Sequence, residues 1–282
     1  MSADSRQVYR GMDIVTGKDV PIGQYLIESN LKWRDRNLGY YDMDGIRIWL
    51  YDIVSADEPF NVSYWNEAAV LLIDDIQERD RFPVVVGGTG LYIKSLVSPM
   101  DTISSPPNYL LRDKLKQKNP EELMKILDKL DSAKAARLNV SDRQNPRRLV
   151  RAIELGLNDG ASRSEEIPYP SLQIGLTAPL PFLKSRIAQR VETRIDAGAV
   201  EESQSLIARY DLGYPSMSAS GYKAFQSEDW KEKWITLENQ YLKRQLTWFK
   251  KQPDIHWFDI SLPDWKSQAQ TFVQDWYNKL HD

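Results

Sequence analysis

Phe82-Pro83-Val84-Val85-Val86-Gly87-Gly88-Thr89-Gly90-Leu91-Tyr92 is a β-branched run that empties into two glycines and a hydroxyl, then turns apolar again. That order reads as a buried strand delivering a Gly-rich loop to the start of a helix. Such a loop can hold phosphate. Gly87, Gly88 and Gly90 let backbone amides approach an anion without a Cβ in the way, the helix start adds partial positive charge, and Thr89 supplies a hydroxyl donor. The same residues also suit a glycine turn closing an ordinary strand-to-helix connection, and the stretch alone leaves both readings open.

Upstream, Trp65, Ala69, Leu72, Ile73 and Ile76 follow helical spacing from Ser63 onward and place one apolar stripe on a core. Ile46 to Val54 alternates well enough for a strand, and residues 21–45 read as a loop or hairpin excursion. Helix alternating with strand predicts an α/β layered sheet that binds ligands at the carboxyl ends of its strands.

Downstream of Tyr92, Ser104-Ser105-Pro106-Pro107 punctuates the chain, and up to Pro170 the reading is helical. Asn119, Pro120 and Glu122 form a cap, a first helical residue and a capping box, ahead of the stripe Leu123, Ile126, Leu127 and Leu130. Asn145-Pro146 opens a second helix in which Leu149, Ile153 and Leu157 form the buried stripe, leaving Arg147 and Arg151 one turn apart on another face. Those arginines read either as a phosphate-contacting face or as a solvated one salt-bridged to Glu154. Leu172 to Leu176 returns as a strand. A long helix with Leu183, Ile187 and Val191 on one face breaks near Gly198, and Ser220 to Lys223 reads as a loop. The helix from Leu237 to Lys251 buries Leu242, Leu246 and Phe249 and points Arg244 the other way, and His256 to Ile260 reads as a last strand. The domain boundaries expected are 1–105 and 171–282 for the α/β core and 106–170 for a helical insertion.

The 282 residues, 41% hydrophobic, suffice for a real core. The absence of cysteine excludes disulfides and thiolate chemistry, and with only His256 and His281 available, acid–base work falls to carboxylates. No apolar run approaches the roughly 20 residues of a bilayer span, and no signal-peptide core opens the chain, so a cytoplasmic protein is expected. Residues 106–170 carry 13 Lys and Arg against 10 Asp and Glu, so the net charge of −3 divides into +3 there and −6 elsewhere. A mildly basic middle inside an acidic protein permits a phosphate-rich partner.

At the start of the chain, Asp4 sits among small residues and is a candidate carboxylate base, or else a cap for the following turn. Gly11 to Lys18 superficially matches G-x-x-x-x-G-K-[ST]. Five residues separate Gly11 from Gly17, however, and Asp19 replaces the hydroxyl, so it is rejected as a nucleotide loop.

Five segments together resemble the tRNA dimethylallyltransferases, also called isopentenyl transferases. They are Ser2-Ala3-Asp4-Ser5 with Gln7 to Ile14, Val86 to Tyr92, Asn145 with Arg147 to Ala152, Gly221-Tyr222-Lys223, and Lys243 to Phe249; they occur in family order across almost the whole chain. The resemblance implies an α/β core, a parallel sheet like that of P-loop kinases, interrupted by an all-helical insertion that grips the anticodon arm of tRNA. It implies transfer of a dimethylallyl group from dimethylallyl diphosphate to N6 of the adenosine 3′ to the anticodon. Asp4 matches the family's base, and Thr89 and Arg244 match the catalytic positions that hold the diphosphate, with Gly87, Gly88 and Gly90 in the same binding loop. Asp4, Ser5, Arg6, Gln7 and Arg10, with Arg147, Arg148 and Arg151, match the regions that contact tRNA. Magnesium (Mg2+) is the cofactor implied, no metal ligand is assigned within this chain, and a monomer is expected.

The departures are also legible. Family members place a first strand and a phosphate loop upstream of the Ser-Ala-Asp-Ser motif, and this chain starts after them. The expectation is therefore a core lacking its first strand, from a truncated frame or a start assigned too late. Val15 stands where glycine is usual, and Ile48-Trp49 where many members have paired histidines. A catalytically inactive tRNA-binding remnant is the alternative, and a small-molecule kinase or adenylate prenyltransferase is a third reading, disfavoured by the helical insert.

Overall fold

A computed structural model describes residues 1–21, 23–98, 100, 103, 105, 107–157 and 169–281, with the last of these lacking a described side chain. Two compact units emerge, residues 98–168 forming one and the flanking segments the other. The punctuation expected at Ser104 and Pro106 and the closing Pro168 lie outside the described residues.

In the larger unit, the excursion expected between residues 21 and 45 is a regular antiparallel sheet of β1 (Ile27–Trp33), β2 (Arg36–Met43) and β3 (Ile46–Trp49). Asp44 and Gly45, both at positive φ, form the two-residue turn between β2 and β3, the geometry that matches strand twist. Trp33, Leu38 and Trp49 enter the core while the tyrosines and arginines between them stay partly exposed, so the hairpin alternative holds although its apolar alternation is thin. The strand expected over residues 46–54 stops at Trp49, and Val54 instead forms an isolated parallel bridge to Tyr9.

Helix α1 (Val62–Glu78) starts at Asn61, whose side chain accepts from the amides of Ser63 and Tyr64. All five residues of its expected stripe are buried. Fully burying an aliphatic side chain such as Leu72 stabilises by about 1.5–3 kcal/mol. Trp65 also donates its indole N–H to the Ser2 carbonyl at 3.0 Å and stacks on Tyr92, ring centroids 4.7 Å apart. Residues 84–86 then run parallel to residues 1–3: Val86 N donates to Met1 O at 2.9 Å and Ala3 N to Val86 O at 2.8 Å. This segment is not the buried strand expected. Val84 and Val86 are 60% and 67% exposed, because residues 1–3 cover one side and the other borders a cavity. Helix α2 (Gly90–Val97) follows.

The smaller unit is helical throughout its described residues: α3 (Tyr109–Leu115), α4 (Pro120–Leu130), α5 (Ser132–Arg137), α6 (Val140–Arg143) and α7 (Pro146–Leu157). Asn119 and Glu122 form the expected capping box, and Asn108, Asp131, Asn139 and Asn145 cap the other helices. Leu115, Leu123, Leu127, Leu149 and Ile153 build the core. Leu130 and Leu157 fall outside it, at 37% and 54% exposed, since each ends its helix beyond the last packed turn.

Back in the larger unit, β4 (Gln173–Thr177) pairs in parallel with β5 (Ile255–Asp259), in register from Gln173 opposite Ile255 to Thr177 opposite Asp259. Between them lie α8 (Leu180–Asp196), α9 (Ala199–Arg209), α10 (Ser220–Ala224) and α11 (Trp230–Phe249). Gly198, at φ 100°, separates α8 from α9 in a left-handed conformation that favours glycine. The expected loop at residues 220–223 is instead the helix α10, packed so closely that a Cβ on Gly221 would sit 2.6 Å from Val15. Helix α12 (Trp265–His281) closes the unit; its Phe272 stacks on His256, and its Trp276 and Tyr277 meet Phe82. Parallel pairing and flanking helices make this an α/β fold, and the hairpin alternative expected for residues 21–45 joins the strand expected from Ile46 in an added antiparallel sheet.

Candidate active site

The turn from Ser2 to Tyr9 and the glycine loop from Gly87 to Gly90 are built against each other. Thr89 N donates to Ala3 O at 3.0 Å, and Ser5 N donates to the Thr89 hydroxyl oxygen at 3.0 Å. A Cβ on Gly87 would overlap the Ala3 carbonyl, so glycine is required there by backbone contact. On the far side α11 closes the loop: Tyr241 Oη and Gln245 Nε2 donate to the Gly88 carbonyl at 3.2 and 3.1 Å, and Trp248 covers Gly90. The Thr89 hydroxyl also hydrogen-bonds to Tyr241, whose own hydroxyl is pushed up to about 12 by burial and by the charge of Asp4.

A cavity of about 1350 Å³ opens beside this junction. Asp4, Gln7, Gly87 and Gly88 line it; Asp4 Oδ1 accepts from Arg6 N at 2.7 Å, so the carboxylate does cap its turn while its other oxygen keeps its lone pairs. Among the described residues six arginines line the same cavity, three of them Arg186, Arg190 and Arg194 of α8, against the acids Asp4, Asp19 and Glu238. Val84, Val86, Leu183, Ile187 and Leu242 supply apolar wall. A site that joins one carboxylate, an excess of guanidinium groups and apolar surface suits a substrate with a polyanionic end and a hydrocarbon end.

Other expected site residues lie elsewhere. Thr89 and Gly90 sit behind the lining, and Arg244 is exposed, its guanidinium 5.8 Å from the Tyr241 ring and outside the cavity wall. Arg6 donates to the Pro215 carbonyl, Arg10 to the Asp52 carbonyl at 2.9 Å, and Gln7 to the Gly17 carbonyl at 2.8 Å. In the helical unit Arg147 is exposed, Arg148 pairs with Asp142, and Arg151 bonds Glu154 at 2.9 Å and the Ser105 carbonyl.

The rejected nucleotide motif has a structural use. Lys18 is buried and donates to Asp13, Asp52 and the Tyr9 carbonyl, while Tyr41 donates to the second oxygen of Asp52 at 2.7 Å. Glu202 holds the neighbouring backbone, accepting from the amides of Asp13, Ile14 and Val15 and from Tyr222. Sequence reasoning missed Arg186, Arg190, Arg194 and Glu202. The four-residue spacing of the arginines was available as a signal, but the apolar face of the same helix took precedence.

No group of three or more His, Cys, Asp or Glu suited to a metal ion is found among the described residues, and none of them is assigned to the expected magnesium. No helix of the described residues is long and apolar enough to cross a membrane.

The family model described as IPP transferase matches residues 37–252, and the chain belongs to that family. The tRNA dimethylallyltransferase of Moorella thermoacetica is 33% identical over 304 aligned positions, covering all of this chain and 88% of that protein. Among solved structures, the full-length tRNA isopentenylpyrophosphate transferase of Bacillus halodurans is 29% identical with a TM-score of 0.66, covering 99% of this chain and 89% of that one. A eukaryotic dimethylallyltransferase acting on tRNA shares the fold at a TM-score of 0.80 and 23% identity, covering 99% of this chain and 72% of that one.

Proposed function

We propose that this chain transfers a dimethylallyl group from dimethylallyl diphosphate to N6 of the adenosine 3′ to the anticodon of a tRNA. The observation that carries the reading is that Asp4 and the arginines of α8 line one cavity. The exocyclic amine of adenine is a weak nucleophile, so its proton must leave as the new bond forms. The N6–C1 bond forms while the C1–O bond to diphosphate breaks; the Asp4 carboxylate takes the N6 proton, and diphosphate departs with the electron pair. Charge accumulates on that leaving group, and the guanidinium groups that line the cavity stabilise it. Arg186 and Arg190 are better placed for this than Arg244, while Thr89 acts through its bonds to Ser5 and Tyr241. The helical unit, with Arg147 and Arg148 outward, binds the anticodon arm, in the cytoplasm and as a monomer.

A binding remnant without catalysis is the second reading. It is favoured by one observation: the glycine loop is filled by Ala3, Gln245 and Trp248 rather than left open for phosphate. One assay decides between them. Incubating the chain with tRNA and dimethylallyl diphosphate should add the mass of one five-carbon prenyl group to a single adenosine; binding of tRNA with no added mass leaves only the remnant.

A further inference from the structure

Tyr51 stands between two residues in left-handed backbone, Leu50 at φ 70° and Asp52 at φ 55°, and neither is glycine. Such a conformation is strained for a bulky side chain and persists only where the surroundings over-determine it. They do so here. Leu50 is fully buried, and Asp52 is held at every polar atom. Its amide donates to the Gln7 carbonyl at 3.2 Å and its own carbonyl accepts from Arg10 Nε at 2.9 Å. One carboxylate oxygen accepts from Lys18 and the other from the Tyr41 hydroxyl at 2.7 Å. The backbone on either side of Tyr51 is therefore fixed, and its ring lies 6.3 Å, centroid to centroid, from that of Tyr41.

The side chain so aimed lines the cavity with Asp4. Four hydroxyl groups line that cavity, and three are spent within the protein. Ser2 donates to Gln7 at 2.7 Å, Thr193 to the Gln189 carbonyl at 3.1 Å and Tyr241 to the Gly88 carbonyl at 3.2 Å. Among the described residues the Tyr51 hydroxyl has no hydrogen-bond partner. Burial first, then the charges of Asp19, Asp4 and Asp52, push it up to about 12, so it keeps its proton at neutral pH and has it to donate.

A carboxylate acceptor and an unspent hydroxyl donor thus face one chamber. We propose that Tyr51 is a specificity-determining residue that reads the target base, its hydroxyl donating to a ring nitrogen that flanks the amine on which Asp4 acts. Adenine suits this pair: the N6 amine carries the proton for Asp4, and N1 and N7 beside it each offer a lone pair. Guanine fails, because O6 replaces the amine and would set a lone pair against the Asp4 carboxylate. A base drawn out of its stack is read in this way, by hydrogen bonds to its edge. The assignment deepens the proposed reaction and rests on it for the identity of the base.

The experiment measures binding of anticodon stem-loops to the full chain by fluorescence anisotropy, with adenosine, 1-deazaadenosine or 7-deazaadenosine at the target position. Each deaza base replaces one flanking nitrogen by C–H and keeps the amine. Wild type should bind one of the two deaza stem-loops about fivefold more weakly than the adenosine stem-loop, the loss of one hydrogen bond. Tyr51→Phe keeps the ring and should unfold at the wild-type temperature. It should bind the adenosine stem-loop about fivefold more weakly than wild type and show no further loss on the deaza stem-loop that wild type disfavours. Wild type indifferent to both deaza bases overturns the proposal without any variant, and so does a folded Tyr51→Phe that keeps the wild-type preference. Wild type that prefers adenosine through Tyr51 but transfers no prenyl group to the stem-loop sinks the proposed reaction and leaves base reading by Tyr51 standing. Wild type that transfers the prenyl group while Tyr51→Phe discriminates as before sinks only the role of Tyr51.

Discussion

Gln245 and Gly88 are fitted to each other twice over. The Gln245 side-chain amide donates to the Gly88 carbonyl at 3.1 Å and also fills the space a Cβ on Gly88 would need. The glycines of this loop are thus required by packing as much as by any ligand, and the three positions differ in what a methyl group would strike. Gly87→Ala meets the Ala3 backbone, Gly90→Ala meets the Trp248 ring, and Gly88→Ala meets the end of a flexible side chain. Overpacking typically costs about 1–3 kcal/mol, so urea unfolding should rank Gly87→Ala near the top of that range, Gly90→Ala between, and Gly88→Ala near the bottom. Equal losses at all three would show that the loop adjusts as a unit.

Asp4→Asn keeps an oxygen for the Arg6 amide, so the turn should survive. Prenyl transfer should fall by about 10²-fold or more, the usual contribution of a positioned base, with tRNA affinity within twofold. Loss of both together would make Asp4 a structural residue.

Arg190 faces the cavity and Arg244 does not. Arg190→Ala should raise KM for dimethylallyl diphosphate and lower kcat, whereas Arg244→Ala should leave the KM for that substrate close to wild type. Steady-state kinetics in the prenyl donor at saturating tRNA checks this, and the reverse pattern would return the diphosphate to α11.

Glu154 is buried in the helical unit. Burial alone would push its carboxyl up, but hydrogen bonds from Arg112 and Arg151 and from the Asn108 amide prevail and hold it below its ordinary value of 4.5. A depressed folded value means the unfolded chain takes up protons first. The stabilisation is therefore complete above pH 4.5 and is lost as pH falls through the lower folded value. Urea midpoints of the helical unit should drop from about pH 5 to about pH 3, and Glu154→Gln should be less stable at the upper end with a flatter profile. A wild-type profile flat across that range would contradict the arrangement.

Arg147 is exposed, whereas Arg151 is engaged by Glu154 and Ser105. Arg147→Ala should reduce the salt slope of tRNA binding by about 1. Arg151→Ala should mainly lower the stability of the helical unit. A salt slope changed by Arg151 alone would reverse these roles.

Much of this was legible before any coordinates. Asn119, Pro120 and Glu122 announced a capping box because capping is local chemistry, and the Trp65 to Ile76 stripe announced α1 because helical periodicity is local geometry. The Asp4 to Thr89 junction was visible only through the family resemblance, since two residues 85 positions apart leave no spacing signal. The three-stranded sheet was legible only as a loop-or-hairpin alternative followed by a strand, because tyrosine and arginine fill its open face. The exposure of Val84 and Val86 escaped it because a β-branched run looks the same whether or not a neighbouring strand covers it. Arg194 was hidden for a different reason: a charged residue on a helix is normally read as solvated, and only tertiary packing buries it beside a second arginine.

Residues 84–86 are bonded to residues 1–3 along one side, and two valines stand open in the cavity. In a strand, alternate residues bond to opposite sides, so Val85 directs its peptide groups away from that partner. An uncovered row of this kind is a template for other extended chains. Whatever fills the cavity therefore covers this margin too, and an empty cavity leaves Val84 and Val86 facing solvent.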